Sequence, residues 1–151
     1  MRISKKGDYA LRALIHLALE SGEGVTHMQK IAQKEDIPQK FLEQILLSLK
    51  GVGIVRSKSG VGGGYALARP AEKIMLGEVI RHIDGPLAPI GCVSKAFHVE
   101  CPFEKKCGLR SVMLDVRNVT AKILDHISLA DIRDRTRGLS KRQVRTLKYY
   151  I

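Results

Sequence analysis

Three cysteines, Cys92, Cys101 and Cys107, stand in one stretch of the chain, separated by gaps of eight and five residues. Thiolates gathered in this way bind soft metals or iron–sulfur clusters, or act as redox-active thiols. The gaps match neither a C-x2-C zinc knuckle nor a ferredoxin run, so spacing alone leaves iron–sulfur, zinc and free thiols open. Context favours a site. The cysteines lie in a stretch from Leu87 to Gly108 that is neither helical nor alternating, is punctuated by Gly and Pro, and leads into a helical pattern. A loop of that length inside a small domain is usually functional or disordered. Three thiolates leave a metal one ligand short. Asp8, His98, a water or a small molecule are the candidates for the fourth, with His98 locally placed between two of the cysteines. His16, His27, His82 and His126 each stand alone and read as packing or surface residues.

The elements that must position such a site begin with an apolar helix over Tyr9–Leu19, striped by Leu11, Leu14, Ile15 and Ala18 and ended by Gly22 and Gly24. A polar lead-in, Ser4 to Asp8, precedes it. Thr26 is expected to N-cap a short second helix running to Glu35, with Met28, Ile31 and Ala32 inward. Pro38 opens a third helix to about Lys50, because its missing N–H costs nothing in a first turn. Phe41, Leu42, Ile45, Leu46 and Leu49 are expected in the core; Gln39, Lys40, Glu43, Gln44 and Leu47 lie on the other side.

Gly53–Lys58 and Tyr65–Ala68 read as strands about a glycine-rich turn, Ser59 to Gly64. GVGGG is followed by no Lys-Ser/Thr and no helix, so it is not a phosphate-cradling Walker loop. Two short helices followed by a hairpin make a winged helix. A further helix spans Ile74–Ile83 and breaks at Gly85-Pro86.

Leu109, Val112, Val116, Val119 and Ile123 then recur three and four residues apart on a helix reaching about Ile127. That heptad-like seam reads as a dimer interface, or else as an amphipathic helix packed on its own domain. Beyond Ser128, Arg133, Arg135, Arg137, Lys141, Arg142 and Arg145 form a basic segment, read as a solvated or disordered tail, with nonspecific duplex contact as the other reading. The expected fold is mostly α with a small β-hairpin: a winged helix-turn-helix at 1–84, a cysteine loop at 85–108, a dimerisation helix at 109–128 and a basic C-terminal segment at 129–151.

Charge points to the partner. The chain of 151 residues carries a formal net charge of +11, which favours a polyanion through counterion release. No stretch reaches the length of a membrane span, and the N-terminal pattern, interrupted by Arg12 and His16, is not that of a signal peptide. A cytoplasmic protein is expected, in which clustered cysteines serve metal or redox chemistry rather than a disulfide framework. A thiolate enzyme is disfavoured, since no Cys/His pairing can be argued and the basic winged helix would go unused.

These features resemble the IscR/NsrR-type winged-helix transcription regulators of bacteria, whose branches include the iron-responsive RirA and the cysteine-metabolism repressor CymR. The resemblance rests on Asp8-Tyr9-Ala10-Leu11-Arg12-Ala13-Leu14, Ile31-Ala32, Ile37 to Leu46, Gly60-Val61-Gly62-Gly63-Gly64-Tyr65, Leu76 to Ile80 and Asp84-Gly85-Pro86, and covers about residues 1–128. It implies a homodimer whose recognition helices enter successive major grooves of a double-stranded operator. Gln39, Lys40, Glu43 and Gln44 would read base edges, with Glu43 discriminating, and Lys5, Arg56 and Lys58 would meet phosphates. It also implies a [2Fe–2S] or [4Fe–4S] cluster on Cys92, Cys101 and Cys107, sensing iron, redox state or nitric oxide.

In the nitric-oxide-sensing branch a partner-supplied N-terminal aspartate completes the cluster, and Asp8 matches it. The histidine that does so in the cluster-biogenesis branch is replaced here by Arg110. Two departures stand out. The first cysteine gap exceeds the family's usual five residues, and the arginine expected before the first wing glycine is Ser59, leaving Lys58 or Arg56 for the minor groove. The alternative within this fold is a cluster-free regulator answering to a metabolite or protein partner.

Overall fold

The computed structural model describes residues 2–22 and 24–148, with side chains described as far as Leu139. Helices α1 (Lys5–Leu19), α2 (Met28–Glu35) and α3 (Gln39–Gly51) lead into an antiparallel hairpin of β1 (Val55–Lys58) and β2 (Gly64–Leu67). Then come α4 (Leu76–Asp84), α5 (Gly108–Leu124) and α6 (Leu129–Lys148). This is the expected winged helix with a long helix after the cysteine loop.

Helix α1 is the centre of the domain. Ala10, Ala13, Leu14, Leu17 and Ala18 are buried, and the small side chains let α2, α3, α4, α6 and β2 all pack on it. From α3, Leu42, Ile45, Leu46 and Leu49 close the same core, and Ile54, Ile74, Val79 and Leu129 complete it. The α2–α3 turn is tight: Asp36 takes the left-handed conformation at φ 50°, and the buried Ile37 donates its N–H to Ala32 O at 2.9 Å.

Several local expectations are corrected. Helix α1 starts at Lys5, not Tyr9, because Ser4 N-caps it: its hydroxyl accepts from Gly7 N–H at 3.0 Å and donates to Asp84 at the end of α4. Thr26 does not cap α2; His27 holds that position. Thr26 instead forms a β-bridge with Tyr65, with N–H to O distances of 2.8 Å in both directions, and its hydroxyl donates to Glu20. Pro38 is the N-cap of α3 rather than its first residue.

The segment after Ser128 is no tail. Ser128 and Asp131 cap each other at the start of α6, through Ser128 N–H to Asp131 Oδ2 at 2.8 Å and Asp131 N–H to Ser128 Oγ at 3.2 Å. Two backbone bonds, Leu76 N–H to Ile127 O at 2.8 Å and Leu129 N–H to Ile74 O at 2.9 Å, tie this turn to the domain, and α6 then lies on α1. Arg133 pairs with Asp134 and Glu72, and Arg137 donates to Leu19 O. Lys141, Arg142 and Arg145 fall outside the described side chains.

The Thr26–Tyr65 bridge fixes the wing to the α1–α2 connection. A Cβ on Gly64 would strike the Thr26 carbonyl. Gly64→Ala is therefore expected to destabilise the domain by about 1–3 kcal/mol, the usual cost of overpacking against a backbone that cannot give way. Gly51→Ala, at a helix end facing open space, is expected to be neutral or slightly stabilising. Urea unfolding of both variants checks the contrast.

Candidate DNA interface and cysteine loop

The candidate reading surface is built on α3. Leu42, Ile45, Leu46 and Leu49 commit one face of the helix to the core, which turns Gln39, Lys40, Glu43 and Gln44 to solvent. None of these four side chains has a polar partner among the described residues, so all are available to a ligand. The hairpin stands beside them, with Arg56 opposite Ala66 and Lys58 opposite Gly64. Arg56, Lys58 and Ser59 are exposed, and Gly60 and Gly62, at φ 88° and 73°, turn the chain at the wing tip. Between those glycines Val61 projects wholly into solvent. Its one signal in the sequence is an apolar residue inside a glycine turn, too slight to mark it as part of the surface.

Phe41, expected in the core, is 41% exposed. It packs edge-to-face on Tyr9, with ring centroids 5.6 Å apart. Lys5 and Arg12 lie over the same Tyr9 ring, at 4.8 and 5.8 Å, and both reach Asp8, at 3.8 and 3.7 Å. Lys5, expected on phosphate, is thus partly committed to Asp8. Asp8 is half-exposed on the first turn of α1, one residue from a ring that touches the recognition helix.

The cysteine loop is more ordered than its composition suggests. It folds as two halves, each pinned to α5 by an arginine. In the first half, Cys92 sits in the 3-10 turn Gly91–Val93, Val99 N–H returns to Gly91 O at 3.2 Å, and Arg117 donates to Val93 O at 2.9 Å. In the second half, the Glu104 carboxylate accepts from Cys101 N–H at 3.2 Å, meets His98 Nε2 at 3.0 Å and faces Arg110 Nε at 3.6 Å. Cys107 N-caps α5, its sulfur accepting from Arg110 N–H at 3.3 Å.

Glu104 and Arg117 are the organising residues that sequence reasoning missed. Glu104 lay in plain view three residues from both Cys101 and Cys107.

All three cysteines are free and half-buried. In kind, three unpaired thiols fit a soft metal or cluster. In position, the two arginine anchors are two helical turns apart on α5, about 10 Å along the axis at 1.5 Å per residue. Among the described residues no group of three His, Cys, Asp or Glu side chains stands in metal-binding geometry. His98 is turned to Glu104, and Asp8 stands on the first turn of α1, paired with Lys5 and Arg12.

Helix α5 buries none of its side chains. Leu109, Val112, Val116, Val119 and Ile123 are between 45% and 61% exposed, an uncovered apolar stripe of the kind that marks an association surface.

Comparison with known proteins decides the family. Residues 3–135 match the model of Rrf2, described as an iron-dependent transcriptional regulator. The chain belongs to the Rrf2 family of transcriptional regulators. It is 33% identical over 138 residues to the HTH-type transcriptional regulator CymR of Bacillus subtilis, covering 91% of this chain and 94% of that one. It is 32% identical over 132 residues to the IscR of Serratia proteamaculans, covering 87% and 79%. Among solved structures, that of CymR, the global cysteine regulator of B. subtilis, aligns with a TM-score of 0.73 at 31% identity over 89% of this chain and 98% of that one. The IscR of T. potens aligns at 0.72 and 30% identity over 90% and 88%. This Rrf2 regulator has no helix long and apolar enough to cross a membrane among its described residues.

The Glu104 latch makes a direct prediction. Glu104→Ala frees the Cys101 N–H and leaves Arg110 and His98 without their carboxylate, so labelling of Cys101 and Cys107 by a disulfide reagent is expected to accelerate severalfold, read cysteine by cysteine by mass spectrometry. Cys92, held by the Arg117 half, is expected to change least.

Proposed function

We propose that this chain is a cytoplasmic, dimeric, sequence-specific transcription regulator, acting as a repressor, whose DNA affinity is set by an iron–sulfur cluster, [2Fe–2S] or [4Fe–4S], bound at Cys92, Cys101 and Cys107. The observation that carries the reading is that all three cysteines are free, half-buried and gathered in the one loop anchored to α5. The family description as iron-dependent supports it. A cluster held there supplies a centre sensitive to iron supply, oxidation and nitric oxide.

The protein's own part is positional. The exposed stripe of α5 supports a homodimer, which sets two α3 helices toward successive major grooves, each wide enough to admit a helix. Gln39 and Gln44 suit adenine, Glu43 a cytosine amino group and Lys40 a guanine edge, while Lys5, Arg56 and Lys58 would meet phosphates, with Ser59 at the wing. Asp8 of the partner subunit would complete the ligand set. A change in its engagement is felt by Tyr9 and, through the ring contact, by Phe41 on α3.

A second reading is favoured by Cys107 acting as a helix cap and by the absence of a three-ligand grouping among the described residues. In it the regulator carries no cluster and answers to a metabolite or protein partner. The similarity to CymR, a global cysteine regulator, supports this reading as well.

Anaerobic purification with iron and sulfide counts separates the two. The first reading expects bound iron and sulfide with visible absorption that changes on nitric oxide or oxygen and disappears in a triple Cys→Ala variant. A colourless, iron-free protein that still binds its operator establishes the second. If Asp8→Ala leaves both spectrum and operator affinity unchanged, the Asp8 route is wrong.

Two further variants test the reading head. Val116→Glu, in the middle of the stripe, is expected to give a monomer by sedimentation and to abolish operator binding. Lys58→Ala is expected to weaken binding to any duplex alike and to lower the salt slope by about one counterion.

A further inference from the structure

A cleft of about 420 Å³ opens between α5 and the 86–97 segment, within the range of small-molecule sites. It uses none of the cysteines and none of the DNA-reading residues. Pro86, Leu87, Ala88, Phe97 and Ala121 give it an apolar wall, and Lys95, Lys122 and Arg117 stand among them.

The charge around it is unbalanced. Asp125 is the carboxylate in the lining, and Arg81 takes both of its oxygens, at 2.6 and 2.8 Å. That hydrogen-bonded pairing holds the Asp125 carboxyl below its ordinary range and raises the Arg81 guanidinium above its own. Arg117 is engaged with Val93 O and Asn118. Lys95 and Lys122 have no carboxylate partner among the described residues, and both are exposed at the cleft. The cleft therefore offers an apolar wall and two uncommitted ammonium groups at its rim.

Its location keeps it open in a dimer built on the apolar stripe. At 3.6 residues per turn, Arg117, Asn118, Ala121 and Asp125 lie on the face of α5 opposite Leu109, Val112, Val116, Val119 and Ile123. The cleft faces the chain's own domain while the stripe faces away.

We propose that this cleft binds a small organic carboxylate with an apolar body. The apolar part lies against Leu87, Phe97 and Ala121, and the carboxylate meets Lys95 and Lys122. Because the cleft also includes Arg117, whose guanidinium grips Val93 beside Cys92, a ligand there braces the first half of the cysteine loop against α5. The site stands whether or not the cysteines hold a cluster.

The test uses the full-length protein and the fluorescent probe anilinonaphthalene sulfonate, with octanoate, octanol and inorganic phosphate as competitors. One saturable probe site per chain is expected, displaced by octanoate and not by phosphate, with octanol much weaker than octanoate. Replacing Lys95→Gln is expected to weaken octanoate about fivefold, the upper effect of one exposed ion pair, and Lys122→Gln similarly. Ala121→Leu, which fills the cleft from a helical position, is expected to abolish probe binding while the melting temperature and dimer mass stay as in the parent chain. Absence of a saturable site overturns the proposal. So do equal competition by octanol and octanoate, competition by phosphate alone, or probe binding unchanged in both Ala121→Leu and the double Lys95→Gln, Lys122→Gln variant.

Discussion

Everything in this domain depends on the burial of α1. Its alanines allow α2, α3, α4, α6 and β2 to approach one helix closely, so the hydrophobic term that drives folding is concentrated on a single element. A helix packed on so many sides has little freedom to shift alone. Its first turn, however, projects beyond the core. There Ser4 is tied to Asp84 on α4, Asp8 to Lys5 and Arg12, and Tyr9 to Phe41 on α3. The rigid part of α1 fixes the reading helix in place, and the projecting turn is where an outside force would reach it.

Helix α5 follows the opposite physics. With no fully buried side chain it gains less from its own domain than α1 does, and polar ties add to its half-buried contacts: the Arg81–Asp125 pair to α4, and Arg110 and Arg117 to the two halves of the cysteine loop. Half-exposed ion pairs and single hydrogen bonds each contribute of the order of 1 kcal/mol. The angle of α5 to the winged helix is therefore set by interactions weak enough to be changed by a ligand or a lost carboxylate, whereas the winged helix itself is not. That division suits a regulator, because a modest energy at the loop can act on orientation without unfolding the reader.

The fold was legible wherever a buried face imposed periodicity. The core of α1 and α3 and the exposed seam of α5 follow from apolar spacing, and the two-stranded wing from its glycine turn. What escaped was decided by pairings distant in sequence. Thr26 looks like a helix cap locally, and only the arrival of Tyr65 makes it a strand residue. Phe41 has the spacing of a core residue, but it lies at the edge where Tyr9 takes it up. The basic composition after Ser128 hid a capped helix, because Leu129 and Ala130 are buried in its first turn, while Arg133 pairs with Asp134 and Glu72 and Arg137 reaches Leu19 O. In the candidate site, residue types were readable and geometry was not. The three cysteines could be named, but not that Glu104, Arg110 and Arg117 divide their loop in two.

That division bears on how sensing can reach DNA. Operator half-sites recur about one helical turn, 34–36 Å, apart, so a dimer must hold its two α3 helices at one separation. If the α5 stripe is the dimer seam, the separation depends on how α5 is held, by the Arg81–Asp125 pair to α4 and by Arg110 and Arg117 to the loop. A cluster on all three cysteines would have to be accommodated by both the Arg117 half and the Arg110 half of the loop. Neither half can move without releasing a hydrogen bond or ion pair that orients the helix. On the cluster-bound reading proposed above, filling a three-sulfur site would thus act on the contacts that hold α5, and Glu104, which meets Cys101 N–H, His98 and Arg110, stands among them.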